Sequence, residues 1–391
     1  MNLEFGKRPK EIYYDNAATT VVDPQVVEAM QPFTEEKYGN PETPYHLGQE
    51  SKAAIELARS QIADLLGCSP AEIYFTSGGT EANNWAIKCV EYALNDGIVI
   101  SAVEHASVIQ PANWVGRERL IEVIRVDKLG KIDVSLLTEI LSQNAIKLVS
   151  IQYANNEVGT IQPVKQISEL CKEHESLFHC DMVQAFGKIP EKVSDFNPDL
   201  VSLSAHKIHG PMGIGALYVK SGTDLDPLLH GGGQEHGMRS GTHAVSQIVG
   251  FGKAAELCWS NMNKEMLRIR KMTASLFGEL KVKVNAIRNG DPTSCLPNIL
   301  NVTIPNVEAA VLSGILNRWG ICVSTGAACH TQSGKNHVLA AMGKTELDCK
   351  STLRISMSRF NTESEIVMFV AYLQKAIGEL KSRAILSTTL P

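Results

Sequence analysis

The chain has 391 residues, 44% of them hydrophobic and 20% charged, enough for two or three domains with ample core and far from disordered or collagen-like compositions. Lys and Arg total 37 against 42 Asp and Glu, a formal charge of -5, so the balance asks for no polyanionic partner and nucleic acid is not expected. Nine cysteines without a Cys-x-x-Cys pair suit thiols in a reducing compartment, residues 1–10 carry charges where a signal peptide needs an apolar core, and no apolar run reaches the roughly 18 residues of a membrane span, so the expectation is a soluble, cytoplasmic protein without membrane attachment.

In chain order, Asp23-Pro24 and residues 48–67 read as two helices flanking the loop Tyr38-Gly39-Asn40-Pro41. From about residue 70 to 220, short β-branched runs at 73–76, 98–101, 121–124, 148–151, 200–203 and 214–219 alternate with helical patterns. That alternation predicts an α/β unit with a mostly parallel, helix-covered sheet. A charged helical stretch over 253–280 leads into runs at 298–303, 321–323 and 353–356, with helices near 309–319 and 363–380, which predicts a small α+β domain. The expected division is an N-terminal segment over 1–20 packing with the small domain, a large domain over 21–255 and the small domain over 256–391.

Three strand exits carry chemistry. Thr76-Ser77-Gly78-Gly79-Thr80-Glu81 joins a strand to a helix, where backbone N–H groups and a hydroxyl can meet an anion favoured by the helix dipole; the alternative is an ordinary helix cap by Thr80. Lys207, after Ser202-Leu203-Ser204-Ala205-His206, leaves a buried strand among hydroxyls and an imidazole, which suits a Schiff-base amine, although most lysines are merely solvated. Asp181 ends the run Phe178-His179-Cys180 and needs either a cation, such as the pyridinium of pyridoxal phosphate, or a helix N-terminus to cap.

With Glu104-His105, Asn155-Asn156-Glu157-Val158-Gly159, His179 to Gln184, His206-Lys207 and Gly231-Gly232-Gly233-Gln234-Glu235 in that order, the chain resembles the pyridoxal-phosphate cysteine desulfurases of the class V aminotransferase group, from Tyr14-Asp15-Asn16-Ala17-Ala18-Thr19-Thr20 to Leu353-Arg354-Ile355-Ser356. The resemblance implies fold type I, with a seven-stranded sheet in the large domain. It implies that Lys207 carries pyridoxal 5'-phosphate, that Asp181 pairs with the pyridine nitrogen, that His105 stacks on the ring and that Gln184 bonds the phenolic oxygen. Gly79, Thr80, Ser204 and His206 would hold the phosphate, Thr242 would reach in from a second subunit of a homodimer, and Asn156 and Arg354 would hold the substrate carboxylate. Taken alone, Arg354 could equally form a surface salt bridge.

Cys329 lies in the small-residue run Ser324-Thr325-Gly326-Ala327-Ala328, and it aligns with the persulfide-forming cysteine of the short-signature desulfurases. A thiol among Gly and polar residues is a better nucleophile than a buried cysteine. The expected reaction converts L-cysteine to L-alanine and leaves sulfur on Cys329 for an acceptor protein. A zinc reading from Cys322, Cys329, His330 and His337 matches no usual structural spacing, so no metal is expected. Ala205 replaces the Gly of many relatives and His236 their Arg, and the chain stops soon after the last predicted helix, without the longer tail of cluster-assembly desulfurases. Ala328-Cys329-His330 looks more like the selenocysteine lyases, which makes L-selenocysteine the alternative substrate. An ordinary aminotransferase would leave Cys329 unused, and a platform that only docks sulfur-trafficking partners would leave Lys207 unused.

Overall fold

The computed structural model describes residues 11–325 and 336–388. Strand β1 (Ile12–Tyr13) is followed by helices α1 (Pro24–Met30), α2 (Pro32–Glu35) and α3 (His46–Leu66). The alternating region then runs β2 (Ile73–Thr76), α4 (Gly79–Lys88), β3 (Gly97–Ser101), α5 (Ala106–Val115), β4 (Ile121–Ile124), α6 (Val134–Gln143), β5 (Ile146–Ser150), α7 (Val164–Glu173), β6 (Leu177–Asp181), α8 (Val193–Phe196), β7 (Leu200–Ser204) and β8 (Gly215–Val219). A long helix α9 (Val245–Val284) leads to β9 (Ile287–Asn289), β10 (Ile299–Thr303), α10 (Ala309–Arg318), β11 (Ile321–Cys322), α11 (His337–Ala341), α12 (Glu346–Lys350), β12 (Thr352–Ser356) and α13 (Glu363–Thr388).

Seven strands form one sheet in the order β2-β8-β7-β6-β5-β3-β4, and only β8 runs antiparallel to its neighbours. This is the fold type I α/β architecture read from the motifs. Strands β3, β5, β6, β7 and β8 are almost wholly buried, as helices on both faces require, which is why they read as continuous apolar runs. Polar residues inside these strands bond sideways: His179 on β6 joins Ser150 on β5 (2.7 Å) and Ser202 on β7 (2.9 Å). Burial pushes the His179 imidazole down to about 3, so it is a neutral part of the sheet.

A second sheet, β12-β10-β9, is antiparallel, and β1 pairs with β11 in parallel. Helix α9 serves two cores: Phe251, Ala254 and Ala255 pack with the seven-stranded sheet and α3, while Ile269, Met272, Leu276 and Leu280 pack with Tyr14, Leu300, Leu312 and Phe369. It begins eight residues before the expected Lys253, running straight through Gly250 and Gly252, and at Gly252 there is room for no side chain against Ala58 of α3. Helix α4 also differs from expectation: its N-cap is Gly78, so Thr80 lies in the first turn with its hydroxyl outside the capping position.

Candidate active site

The carboxyl ends of β2, β3, β5, β6 and β7 share one edge of the sheet, the edge at which open α/β sheets bind ligands. The fold therefore gathers Gly79, His105, Asn156, Asp181 and Lys207 from 129 positions of sequence into one region. Lys207 sits in a short turn after β7, and its Nζ donates to the carbonyls of Ala17 and Ala18, both at 2.7 Å. Burial and the Arg354 guanidinium lower its pKa to about 8, while Asp15, Asp181 and Glu157 pull the other way. An amine of this kind is available as a nucleophile near neutral pH.

Asp181 is buried at the end of β6. Its two oxygens accept from the Val183 N–H (2.9 Å) and the Asn83 amide (2.8 Å), so Asp181 braces the turn after β6, where no helix N-terminus follows for it to cap, and it keeps spare acceptor capacity. The Asn83 nitrogen also donates to Ser107 (2.8 Å), whose backbone N–H bonds His105 Nδ1 (3.1 Å). Asp181, Asn83, Ser107 and His105 thus form one chain across β6, α4 and α5. Asn83 and Ser107 are site residues that the sequence analysis does not single out. Asn83 falls one turn after Thr80 on α4, and that i+3 spacing is the signal that could have found it.

Ser204 is buried at the end of β7, and His206 Nδ1 bonds the Thr19 hydroxyl at 3.1 Å. Burial and Lys207 lower the His206 pKa to about 4. Gln184 is buried, and its Nε2 donates to the Ala17 carbonyl at 2.8 Å. On the opposite side, Arg354 on β12 is 6% exposed, which ends the surface salt-bridge reading. It donates to Glu157 (2.9 Å), Asp15 (2.7 Å) and the Asn156 carbonyl (3.2 Å). Thr242 is exposed on its own chain, next to Arg239, which binds Glu81 at the start of α4 (2.8 Å). Cys329 and His330 lie outside the described residues. No disulfide joins the eight described cysteines, and burial raises Cys68 to about 12 and Cys89 to about 11, so neither is poised as a thiolate.

The residues present fit a pyridoxal phosphate group. A half-buried amine with a depressed pKa stands near a buried carboxylate able to meet a pyridinium, and a ten-residue helix opens with Gly79 toward the same sheet edge. Three buried polar atoms in this region, Asn83 Oδ1, Glu157 Oε2 and Arg354 Nε, lack a partner among the described residues. Such orphans mark a site that a ligand completes.

Comparison with known proteins agrees. Residues 12–369 match the family described as Aminotransferase class-V. A relative named cysteine desulfurase IscS, from Methanosarcina thermophila, is 42% identical over 381 residues, covering 95% of this chain and 93% of its own. A solved NifS-like protein superposes with a TM-score of 0.89 at 36% identity, covering 94% of this chain and 99% of its own. A structure described as SspA in complex with cysteine has a TM-score of 0.80 at 33% identity and covers 90% of this chain and 100% of its own.

Proposed function

We propose, from the premise that this chain belongs to the class-V aminotransferase family and to its cysteine desulfurase branch, that it is a pyridoxal-phosphate enzyme taking sulfur from L-cysteine and releasing L-alanine. The observation that carries the reading is Lys207: a half-buried amine with its pKa lowered to about 8, at the strand exit beside Asp181. When bound there, the cofactor supplies an electron sink for the pair left when Cα loses its proton.

The chain's own groups do the rest. Lys207 would hold the cofactor, and its amine is placed to move the proton at the substrate Cα. Asp181, braced by Asn83 and Val183, keeps a negative charge where a ring nitrogen is to stay protonated. His105 Nδ1 accepts from the Ser107 N–H, which fixes the imidazole plane for stacking. Gly79, Thr80, Ser204 and His206 hold the phosphate at the start of α4, where the helix dipole favours it, with Thr242 supplied by a second copy in a homodimer. Arg354 takes the substrate carboxylate through its planar fork, exchanging it for Asp15 or Glu157, and Asn156 adds its amide.

Cys329 as thiolate attacks the substrate sulfur; the new S–S bond forms as the Cβ–S bond breaks, its electron pair returning to the three-carbon fragment, which is then protonated to alanine. The persulfide sulfur passes to an acceptor protein, and iron–sulfur cluster assembly fits the names of the relatives. The division into an N-terminal segment, a cofactor-binding domain to residue 255 and a small domain bearing Cys329 remains our reading of the two cores joined by α9. The scattered cysteines suit a reducing compartment, and we place the enzyme in the cytoplasm.

The test is incubation of the cofactor-loaded protein with L-cysteine and a thiol reductant, with sulfide and alanine assayed together. Equal yields are expected, lost in both Lys207→Ala and Cys329→Ala. Sulfide release undiminished in Cys329→Ala would overturn the persulfide step, and a keto acid in place of alanine would overturn the reaction. Turnover of L-selenocysteine in the same assay, with L-cysteine inert, would transfer the site to the alternative substrate.

A further inference from the structure

A second lysine, this one buried, stands behind Lys207 and has no part in the reaction above. Lys188 is 8% exposed, and its Nζ donates to the Gln184 backbone carbonyl (3.0 Å) and to the Gln184 side-chain oxygen (3.2 Å). The Gln184 nitrogen in turn donates to the Ala17 carbonyl (2.8 Å), the same oxygen that accepts from Lys207 (2.7 Å). Lys188, Gln184, Ala17 and Lys207 therefore form one hydrogen-bonded chain. Both lysines also line one cavity of about 40 Å³ between α9 and the turn after β7.

The turn that carries Lys188 is pressed into place by Gly187, which has φ +71 and lies where a Cβ would meet Ile208 at 2.9 Å and Cys258 at 3.0 Å. Only glycine satisfies both the positive φ and the approach. The fold has thus committed a residue to bringing a lysine, costly to bury, against a glutamine.

A primary amide has a donor end and an acceptor end, and its neighbours decide which end points where. An amine offers only donors to the Gln184 oxygen, so that oxygen is held on the Lys188 side and the NH2 is turned toward Ala17 and Lys207. One N–H of that group is spent on Ala17, and the other is left for an acceptor at the cofactor site. We propose that Lys188 is a positioning residue that fixes the polarity of the Gln184 amide, so that a hydrogen-bond donor faces the oxygen of the cofactor bound through Lys207. The proposal rests on the reading of Lys207 as the cofactor-bearing residue.

The electrostatic surroundings agree with a role as donor. Burial, then Lys207, lowers Lys188 to about 7, and Lys188 donates to Gln184 in either protonation state. Its titratable neighbours are Lys207, His206 and His209 beyond β7 and Cys258 on α9; around Lys207 stand Arg354 on β12, Asp15 after β1, Asp181 on β6 and Glu157.

The experiment follows the visible absorbance of the bound cofactor against pH in the loaded dimer or monomer, together with cofactor affinity on reloading the apo-protein. In Lys188→Met the pH midpoint of the absorbance change is expected to rise by about one unit, because the oxygen loses its donor and becomes more basic. In a Gln184→Leu background the same substitution should move the midpoint by less than about 0.2 unit, since a residue acting through another loses its effect with it. Lys188→Arg, which keeps the donor and has the cavity to extend into, should restore the wild-type midpoint. Where Lys188→Met does not fold, Lys188→Gln serves: its polar end is tolerated, yet it ends one bond short of the Gln184 oxygen, so the upward shift is again expected. An unchanged midpoint in the foldable variant, or an equal shift in the Gln184→Leu background, would overturn the proposal. A wild-type protein with no visible band, or a band surviving Lys207→Ala, would instead overturn the reading of Lys207.

Discussion

Two networks flank Lys207 and differ in the charge of their members. On the Asp181 side, the Asn83 amide and the Val183 N–H meet the two carboxylate oxygens, and Asn83 passes the chain on through Ser107 to His105. On the Arg354 side the partners are full charges, Glu157 and Asp15, while Arg354 Nε and Glu157 Oε2 lack partners among the described residues, as Asn83 Oδ1 does on the Asp181 side. Neutral donors around one carboxylate hold it still. Paired ions with unfilled positions can exchange one carboxylate for another, because an incoming anion finds both a charge and an unmade hydrogen bond. The first network suits a group that stays, and the second suits a substrate that comes and goes.

The contrast can be broken where it is sharpest. Arg354→Ala removes the cation of the exchanging side and should lower kcat/KM for L-cysteine by roughly 100–1,000-fold, mostly through KM, with the cofactor absorbance kept; charged hydrogen bonds of about 1.5–3 kcal/mol each set that scale. An unchanged KM would move the carboxylate elsewhere. Asp181→Asn keeps the shape of the fixed side and removes its charge, so kcat should fall by about 30–100-fold while KM changes little. If the loss appears in KM instead, the two sides are not separate in function.

Asn83→Ala tests whether the fixed network is structural support. It leaves Asp181 and Ser107 each short of a donor and should cost about 1–3 kcal/mol in chemical denaturation. Between the two networks, Lys207 itself gives a pH signature. Burial and Arg354 disfavour its ammonium, so the amine is neutral above about 8 rather than above its ordinary 10.5. Loading of apo-protein with pyridoxal phosphate should accelerate as pH rises toward about 8 and level off beyond it, and a rise continuing to pH 10 would contradict the depressed pKa. The smallest effect belongs to Glu104, which burial raises to about 8 while Ser101 and the Gln152 N–H bond it. Its folded pKa lies above the unfolded value, so it stabilises the fold at low pH and loses that contribution as pH rises through about 8. Glu104→Gln should therefore flatten the decline of stability between about pH 5 and 8, followed by chemical denaturation across that range, and a decline as steep as in the wild type would contradict the raised pKa.

Much of this was legible in the chain itself. The β-branched runs at 98–101, 148–151 and 200–203 announced buried parallel strands, because a strand covered on both faces must be apolar throughout. Lys207, Asp181 and Gly79 were legible for a related reason: a charged residue or a glycine at the end of such a run is conspicuous. The start of α9 was not, since whether Gly252 ends a helix or lets α3 approach depends on what lies opposite.

The same limit applies within the site. Composition and spacing determined the α/β class, the order of the strand exits and the residue types delivered to them, since these depend on local periodicity and on neighbours a few positions away. The tertiary structure alone decided the partners: that Arg354 meets Asp15 across 339 positions, that Asn83 bridges Asp181 and Ser107, and that Lys188 turns the Gln184 amide. Hydrogen bonds and charge interactions act over a few ångströms in space, and only chain closure sets which side chains come that near.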